Sequence, residues 1–198
     1  AILSRGLGDV YKRQGIYIEP IFITRIEDKN GVPIFEVIPK TSDVLSEEAA
    51  YVTLNLMEGV TNYGSGGRLR HSGLEKTSYI YKNLITGYPY EFKNDIAGKT
   101  GTTQNQSDGW FIGMVPNLVT GVWVGGEDRS IHFKEIAYGQ GATMSLPIWG
   151  LFMNKCYADE ELNVSKDPFP EPEVLNIELD CSKVITPEIE NEENDVKD

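Results

Sequence analysis

The chain has 198 residues, 40% of them apolar, which suffices for one ordinary domain with a core and falls short of two. Its formal charge of -12 is lopsided: residues 158–198 hold 14 acidic against 3 basic side chains, and the remaining 157 hold 16 against 15. A nearly neutral body with an acidic end has no basic face, which argues against nucleic acid as a partner and makes the end a solvated appendage.

No run of about 18 apolar residues is present, and the first residues lack a basic stretch followed by an apolar one, so neither a membrane span nor a signal peptide is expected. The sequence does not begin with Met, and we expect a piece of a longer protein whose targeting information lies upstream. Ala1 to Gln14 show no strand or helix period and are read as a non-native leader.

From Gly15 the pattern sharpens. Ile16 to Glu27 is rich in Ile, Tyr, Phe and Thr, Asp28-Lys29-Asn30-Gly31 is a turn, and Val32 to Ile38 is again strand-like. These residues predict a β-hairpin with Asn30-Gly31 at its tip. Ser46 followed by Glu47 and Glu48 predicts a helix start, since the hydroxyl caps free amides and the carboxylates face the positive end of the dipole. Ala50, Leu54 and Met57 give its apolar stripe, and the helix should end near Gly59.

Gly64-Ser65-Gly66-Gly67 lacks the Gly-x-x-x-x-Gly-Lys pattern of a phosphate cradle and is read as a tight turn. Leu74 to Glu91 is aromatic-rich, with Gly87 and Pro89, and receives no assignment. Three strands follow, Asp95 to Thr102, Gly109 to Val115 and Leu118 to Gly125. Connections as short as Pro116-Asn117 force antiparallel neighbours, so the sheet is predicted to be a meander. The loop Gly139-Gln140-Gly141 then precedes Ser145 and Pro147, which suit the cap and first turn of a helix with Ile148, Leu151 and Phe152 packed on the sheet.

Beyond Asp159 the chain is acidic and carries Pro168, Pro170 and Pro172, and its last ten or so residues are expected to be disordered. The domain organisation is thus 1–14 leader, 15–160 body and 161–198 tail. Cys156 and Cys181 stand in no Cys-x-x-Cys spacing, so no metal site, redox pair or disulfide is expected. His71 and His132 are read as surface or satisfied polar residues.

Lys99-Thr100-Gly101 is the motif with chemical content. A given tripeptide occurs by chance in roughly one chain in twenty of this length, so the context matters. It ends a strand, continues into Thr102-Thr103, and leads through Ser107-Asp108-Gly109-Trp110-Phe111 into a further strand pair. With Pro20-Ile21-Phe22-Ile23, Ile26-Glu27-Asp28, Leu45 to Tyr51, Val122-Trp123-Val124-Gly125 and Pro147-Ile148-Trp149, the run from Gly15 to Tyr157 resembles the C-terminal half of the transpeptidase domain of bifunctional, class A penicillin-binding proteins.

The resemblance implies an α+β fold, part of the penicillin-binding and serine β-lactamase-like architecture, with an antiparallel sheet packed by helices. It implies a D,D-transpeptidase of peptidoglycan cross-linking with no cofactor and no metal. Its partners would be stem peptides ending in D-Ala-D-Ala and β-lactam antibiotics. The parent would be membrane-anchored on the extracytoplasmic, periplasmic side, with a glycosyltransferase domain upstream.

An extended peptide can add alongside such a strand, and Gly101 keeps the approach open. By resemblance the Thr102 backbone amide is an oxyanion donor, Lys99 supplies positive potential, and the Thr100 and Thr102 hydroxyls meet the substrate carboxylate, with Thr103 beside them. The family's Ser-x-x-Lys and Ser-x-Asn are absent, because no serine here has lysine three positions on or asparagine two positions on. Truncation accounts for that, so this chain alone should be inactive. The alternatives are a fragment of a serine β-lactamase or D,D-carboxypeptidase, which share the Lys-Thr-Gly strand, and a non-catalytic binding module.

Overall fold

The computed structural model describes residues 15–19, 21–70, 90–180 and 183. The leader, Pro20, most of the unassigned aromatic stretch with His71, Cys181 and the expected disordered end lie outside the described residues.

The hairpin forms in two tiers. At its base β1 (Ile16–Ile18) pairs antiparallel with β4 (Thr41–Asp43), and at its tip β2 (Arg25–Glu27) pairs with β3 (Pro33–Glu36). The turn is built as its residues dictate: Asp28 Oδ1 accepts from the amides of Asn30 (2.8 Å) and Val32 (2.9 Å), and Gly31 takes φ +81°. The strand expected across Ile16 to Glu27 is broken between the tiers, and its base partner, β4, lies beyond the predicted second strand.

Helix α1 (Glu47–Asn62) starts where the sequence places it, with Ser46 Oγ accepting from the Ala49 amide at 3.1 Å. It runs past Gly59 to Asn62. Its inward face is Tyr51, Leu54 and Thr61 with Met57 beside them, while Ala50 is only half-buried, so the stripe is rotated from the predicted one. The glycine cluster that follows makes a turn ending in a single 3-10 turn at Gly67–Leu69.

Strands β5 (Ala97–Thr102), β6 (Asp108–Val115) and β7 (Leu118–Gly125) form the predicted antiparallel meander in the order β5-β6-β7. Side chains alternate across it. One face presents Gly98, Thr100, Thr102, Gly109, Phe111 and Gly113. The other presents Ala97, Lys99, Gly101, Trp110, Ile112 and Met114.

A four-residue helix α2 (Ile136–Gly139) leads into the 18-residue helix α3 (Gly141–Ala158), which covers the first face. Two expectations are corrected here. The helix begins at Gly141, so Pro147 lies inside it and Ser145 is no cap: its buried hydroxyl donates to Gly109 O at 2.7 Å. The predicted apolar face is also the wrong one, because Ile148, Leu151 and Phe152 are exposed and Leu146, Trp149 and Met153 point inward. Trp149 meets Phe111 edge to face at 5.2 Å and lies over Gly113, where a Cβ would stand 2.5 Å from its ring.

On the opposite face Tyr51 and Leu54 of α1 pack against Ala97 and Met114, and Phe169 joins them at 4% exposure. The solvated-appendage reading therefore fails for the first part of the tail. The chain returns along the body, with Asn117 bonded to Asn163 O (2.7 Å) and the Ser165 amide (2.8 Å), and Tyr51 donating to Glu171 at 3.1 Å. Net charge gives no sign of this one buried aromatic ring. Cys156 is buried and free.

Candidate functional site

Strand β5 is an edge strand of its sheet among the described residues, and its ladder sets what that edge offers. The Thr103 amide donates to Asp108 O at 3.0 Å, which makes that a hydrogen-bonded pair. Hydrogen-bonded pairs alternate along an antiparallel ladder, so Gly101, Lys99 and Ala97 bond to β6, and the N–H and C=O of Gly98, Thr100 and Thr102 are directed outward. Thr100 and Thr102 thus send backbone groups to the open edge two residues apart, as an added strand requires.

The five residues singled out in the sequence fall together but do different things. Lys99 is exposed, and its Nζ donates to Thr100 O at 2.9 Å, which bends the ammonium back along the strand. The Thr100 hydroxyl is 2.6 Å from Ser65 Oγ. Gly101 lies opposite Trp110, whose Cβ would be 3.1 Å from any Cβ added there. The Thr102 hydroxyl accepts from the Gly141 amide at 3.0 Å. Thr103 turns away from the edge, and its hydroxyl bonds Ser107 Oγ (3.0 Å), the Asp108 amide (2.9 Å) and Asp108 Oδ2 (3.1 Å), closing the β5–β6 connection.

Asp108 completes that connection. Desolvation acts to raise its pKa, but hydrogen bonds from Ser107, Thr103 and Trp123, with Arg129 beyond, hold it below the usual carboxylate value. Trp123 Nε1 reaches Asp108 Oδ1 at 3.1 Å, and its ring stands 6.4 Å from that of Trp110. The two partly exposed rings continue the face that carries Lys99 and Gly101.

Sequence reasoning misses Ser65. The Gly64-Ser65-Gly66-Gly67 segment is the turn expected of it, yet its serine is carried to β5 by α1. Hydrogen bonds seat the turn: Gly66 N donates to Val60 O (2.9 Å), and Arg70 reaches back to the Thr61 hydroxyl (3.1 Å) and forward to the carbonyls of Phe92 and Asn94. Burial lowers the Arg70 pKa, against the raising influence of Asp95 and Glu58. The neighbouring Glu58 is pushed up to about 7, by burial first and then by Asp95, with Arg70 opposing.

No group of three or more His, Cys, Asp or Glu able to hold a metal occurs among the described residues, and no helix there is long and apolar enough to cross a membrane. An apolar groove lined by Ile21, Phe22, Ile23, Phe35, Val37 and Ile38 belongs to the hairpin alone.

Residues 9–131 match the family described as penicillin binding protein transpeptidase domain. Penicillin-binding protein 1A of Aquifex aeolicus is 30% identical over 171 residues, 85% of this chain and 20% of that protein. Penicillin-binding protein 2D of Bacillus subtilis is 32% identical over 156 residues, 78% of this chain and 20% of that protein. The chain therefore spans about a fifth of the length of these relatives. Among solved structures, penicillin-binding protein 1A of Haemophilus influenzae superposes with a TM-score of 0.55 at 21% identity, over 87% of this chain and 26% of that one. The Mycobacterium tuberculosis penicillin-binding protein PonA1 gives 0.57 at 23% identity, over 87% and 42%. These likenesses support the fold. With a family match over more than half its residues, the chain belongs to the penicillin-binding protein transpeptidase domain family.

Proposed function

We propose that the chain carries the substrate-holding strand of a D,D-transpeptidase that cross-links peptidoglycan. The observation that carries this reading is the outer edge of β5, where the outward backbone groups of Thr100 and Thr102, two hydroxyls and the Lys99 ammonium converge. A stem peptide ending in D-Ala-D-Ala lies antiparallel or parallel to that edge, its terminal carboxylate toward the hydroxyls of Thr100 and Thr102 and the positive potential of Lys99. The Thr102 N–H is one donor to the oxyanion of the tetrahedral intermediate, a contribution of about 3 kcal/mol in comparable sites. Thr103 shapes the end of the edge through the β5–β6 connection.

The nucleophile comes from a segment other than this one. In the longer protein a serine Oγ attacks the penultimate D-alanine carbonyl and gives its proton to a lysine three residues on. The tetrahedral intermediate then expels the terminal D-alanine, and an amine of a neighbouring stem takes the acyl group. A β-lactam acylates the same serine. Residues 15–160 form the later part of the domain, in a protein anchored to the membrane, with this domain on its outer side and a glycosyltransferase domain upstream.

Labelled penicillin tests this directly. The full-length protein should form a stable covalent adduct that Lys99→Ala slows, and the 198-residue chain should form none. An unlabelled full-length protein would refute the activity, and a labelled 198-residue chain would refute the assignment of the nucleophile.

A further inference from the structure

We propose that Gly141 is a positioning residue for the Thr102 hydroxyl, fixing the direction in which that hydroxyl donates to a bound carboxylate. This rests on the transpeptidase reading above and extends it to a residue 39 positions from the motif.

Helix α3 needs a partner at its first amide, because the residue before it, Gln140, makes no side-chain cap. The cap comes from another element: the Gly141 amide donates to Thr102 Oγ1 at 3.0 Å. An amide N–H can only donate, so the Thr102 oxygen is the acceptor and its own proton is left to point elsewhere. A hydroxyl that already accepts one hydrogen bond has fewer directions open to its own proton, so it meets a carboxylate with less torsional freedom to lose, and its bond to an anion is of the stronger, charge-assisted kind. The Thr100 hydroxyl differs, since either it or Ser65 could be the donor in their 2.6 Å contact.

The approach that makes this possible demands glycine. A Cβ at Gly141 would lie 2.3 Å from Trp110 O and 2.4 Å from Gly101 O, both backbone atoms held in the β5–β6 ladder. Any side chain there pushes the start of α3 away from β5 and breaks the bond to Thr102. Gly109 on the same face adds to the close packing, with a Cβ there reaching 3.2 Å from the Gly141 Cα. The glycine-rich turn before α3 is thus tied to the substrate edge by sterics and by one hydrogen bond.

The experiment is a double-mutant cycle on the penicillin acylation rate of the full-length protein, with hydrogen exchange at the Gly141 amide as a readout independent of activity. Thr102→Val and Gly141→Ala should each slow acylation about tenfold or more, the worth of one charge-assisted hydrogen bond. The double variant should be no slower than Thr102→Val alone, and Thr102→Ser should restore the rate to within about threefold. Protection of the Gly141 amide should fall in Thr102→Val and persist in Thr102→Ser. If Gly141→Ala slows acylation equally in the wild-type and the Thr102→Val backgrounds, the residue acts through general structure and the proposal is overturned. Unchanged amide protection in Thr102→Val overturns it as well. Should Gly141→Ala not fold, acylation of the wild-type protein must raise protection at the Gly141 amide, and no change there overturns the proposal. A wild-type protein that is not acylated defeats the transpeptidase reading, and amide exchange then decides the Gly141–Thr102 link by itself.

Discussion

Glu58 offers the sharpest test of how the site is held. It sits half-buried on α1 near Asp95 and Arg70, and its pKa rises from 4.5 to about 7, first through burial and then through Asp95, with Arg70 opposing. A carboxyl raised in the folded state binds its proton more tightly there than in the unfolded chain. The contribution of Glu58 to stability is therefore fully present below about pH 4.5 and is lost as the pH climbs through about 7. The full shift would correspond to ~3 kcal/mol, and half-exposure to solvent reduces the expected loss to ~1 kcal/mol. Glu58→Gln removes the ionisation and keeps the shape. Denaturant unfolding of both proteins from pH 4.5 to pH 7.5 should show the wild type losing ~1 kcal/mol relative to the variant across that interval. A flat difference would mean that burial of Glu58 costs nothing. A difference running the other way would mean that attraction to Arg70 outweighs burial and Asp95.

Phe169→Ala should destabilise the fold by about 3 kcal/mol or more, since the ring is buried against Tyr51, Leu54, Ala97 and Met114, and a loss below about 1 kcal/mol in denaturant unfolding would return the tail to an appendage. Gly113→Ala should cost about 1–3 kcal/mol in the same measurement by driving a methyl into Trp149 and Phe111, and a neutral result would contradict the packing of α3 on the sheet. Ser65→Ala, at an exposed position, should leave stability within about 0.5 kcal/mol and slow penicillin acylation of the full-length protein several-fold by freeing the Thr100 hydroxyl. Unchanged acylation would reduce the Ser65–Thr100 contact to a surface detail.

Much of this protein was legible in the sequence because the signals are local. Ser46 with two following glutamates marks a helix start wherever the helix packs, Asp28 to Gly31 closes a turn with its own side chain and backbone, and Pro116-Asn117 leaves β6 and β7 no choice but to be antiparallel neighbours. The Lys-Thr-Gly motif and its setting likewise identified the family. What the sequence could not settle were choices between equivalent local patterns and contacts between distant residues. Helix α3 carries apolar residues on two sides, so periodicity alone cannot say that Trp149 faces in and Phe152 out. That is decided by which ring fits over Gly113. Phe169 is one aromatic in an acidic stretch, and only the hydrophobic face left between α1 and β5 gives it a place. The hydroxyls of Thr100 and Thr102 are held by Ser65 and Gly141, 35 and 39 residues away, through packing that brings a turn and a helix start to one strand. Local chemistry named the strand, and tertiary packing aimed its hydroxyls.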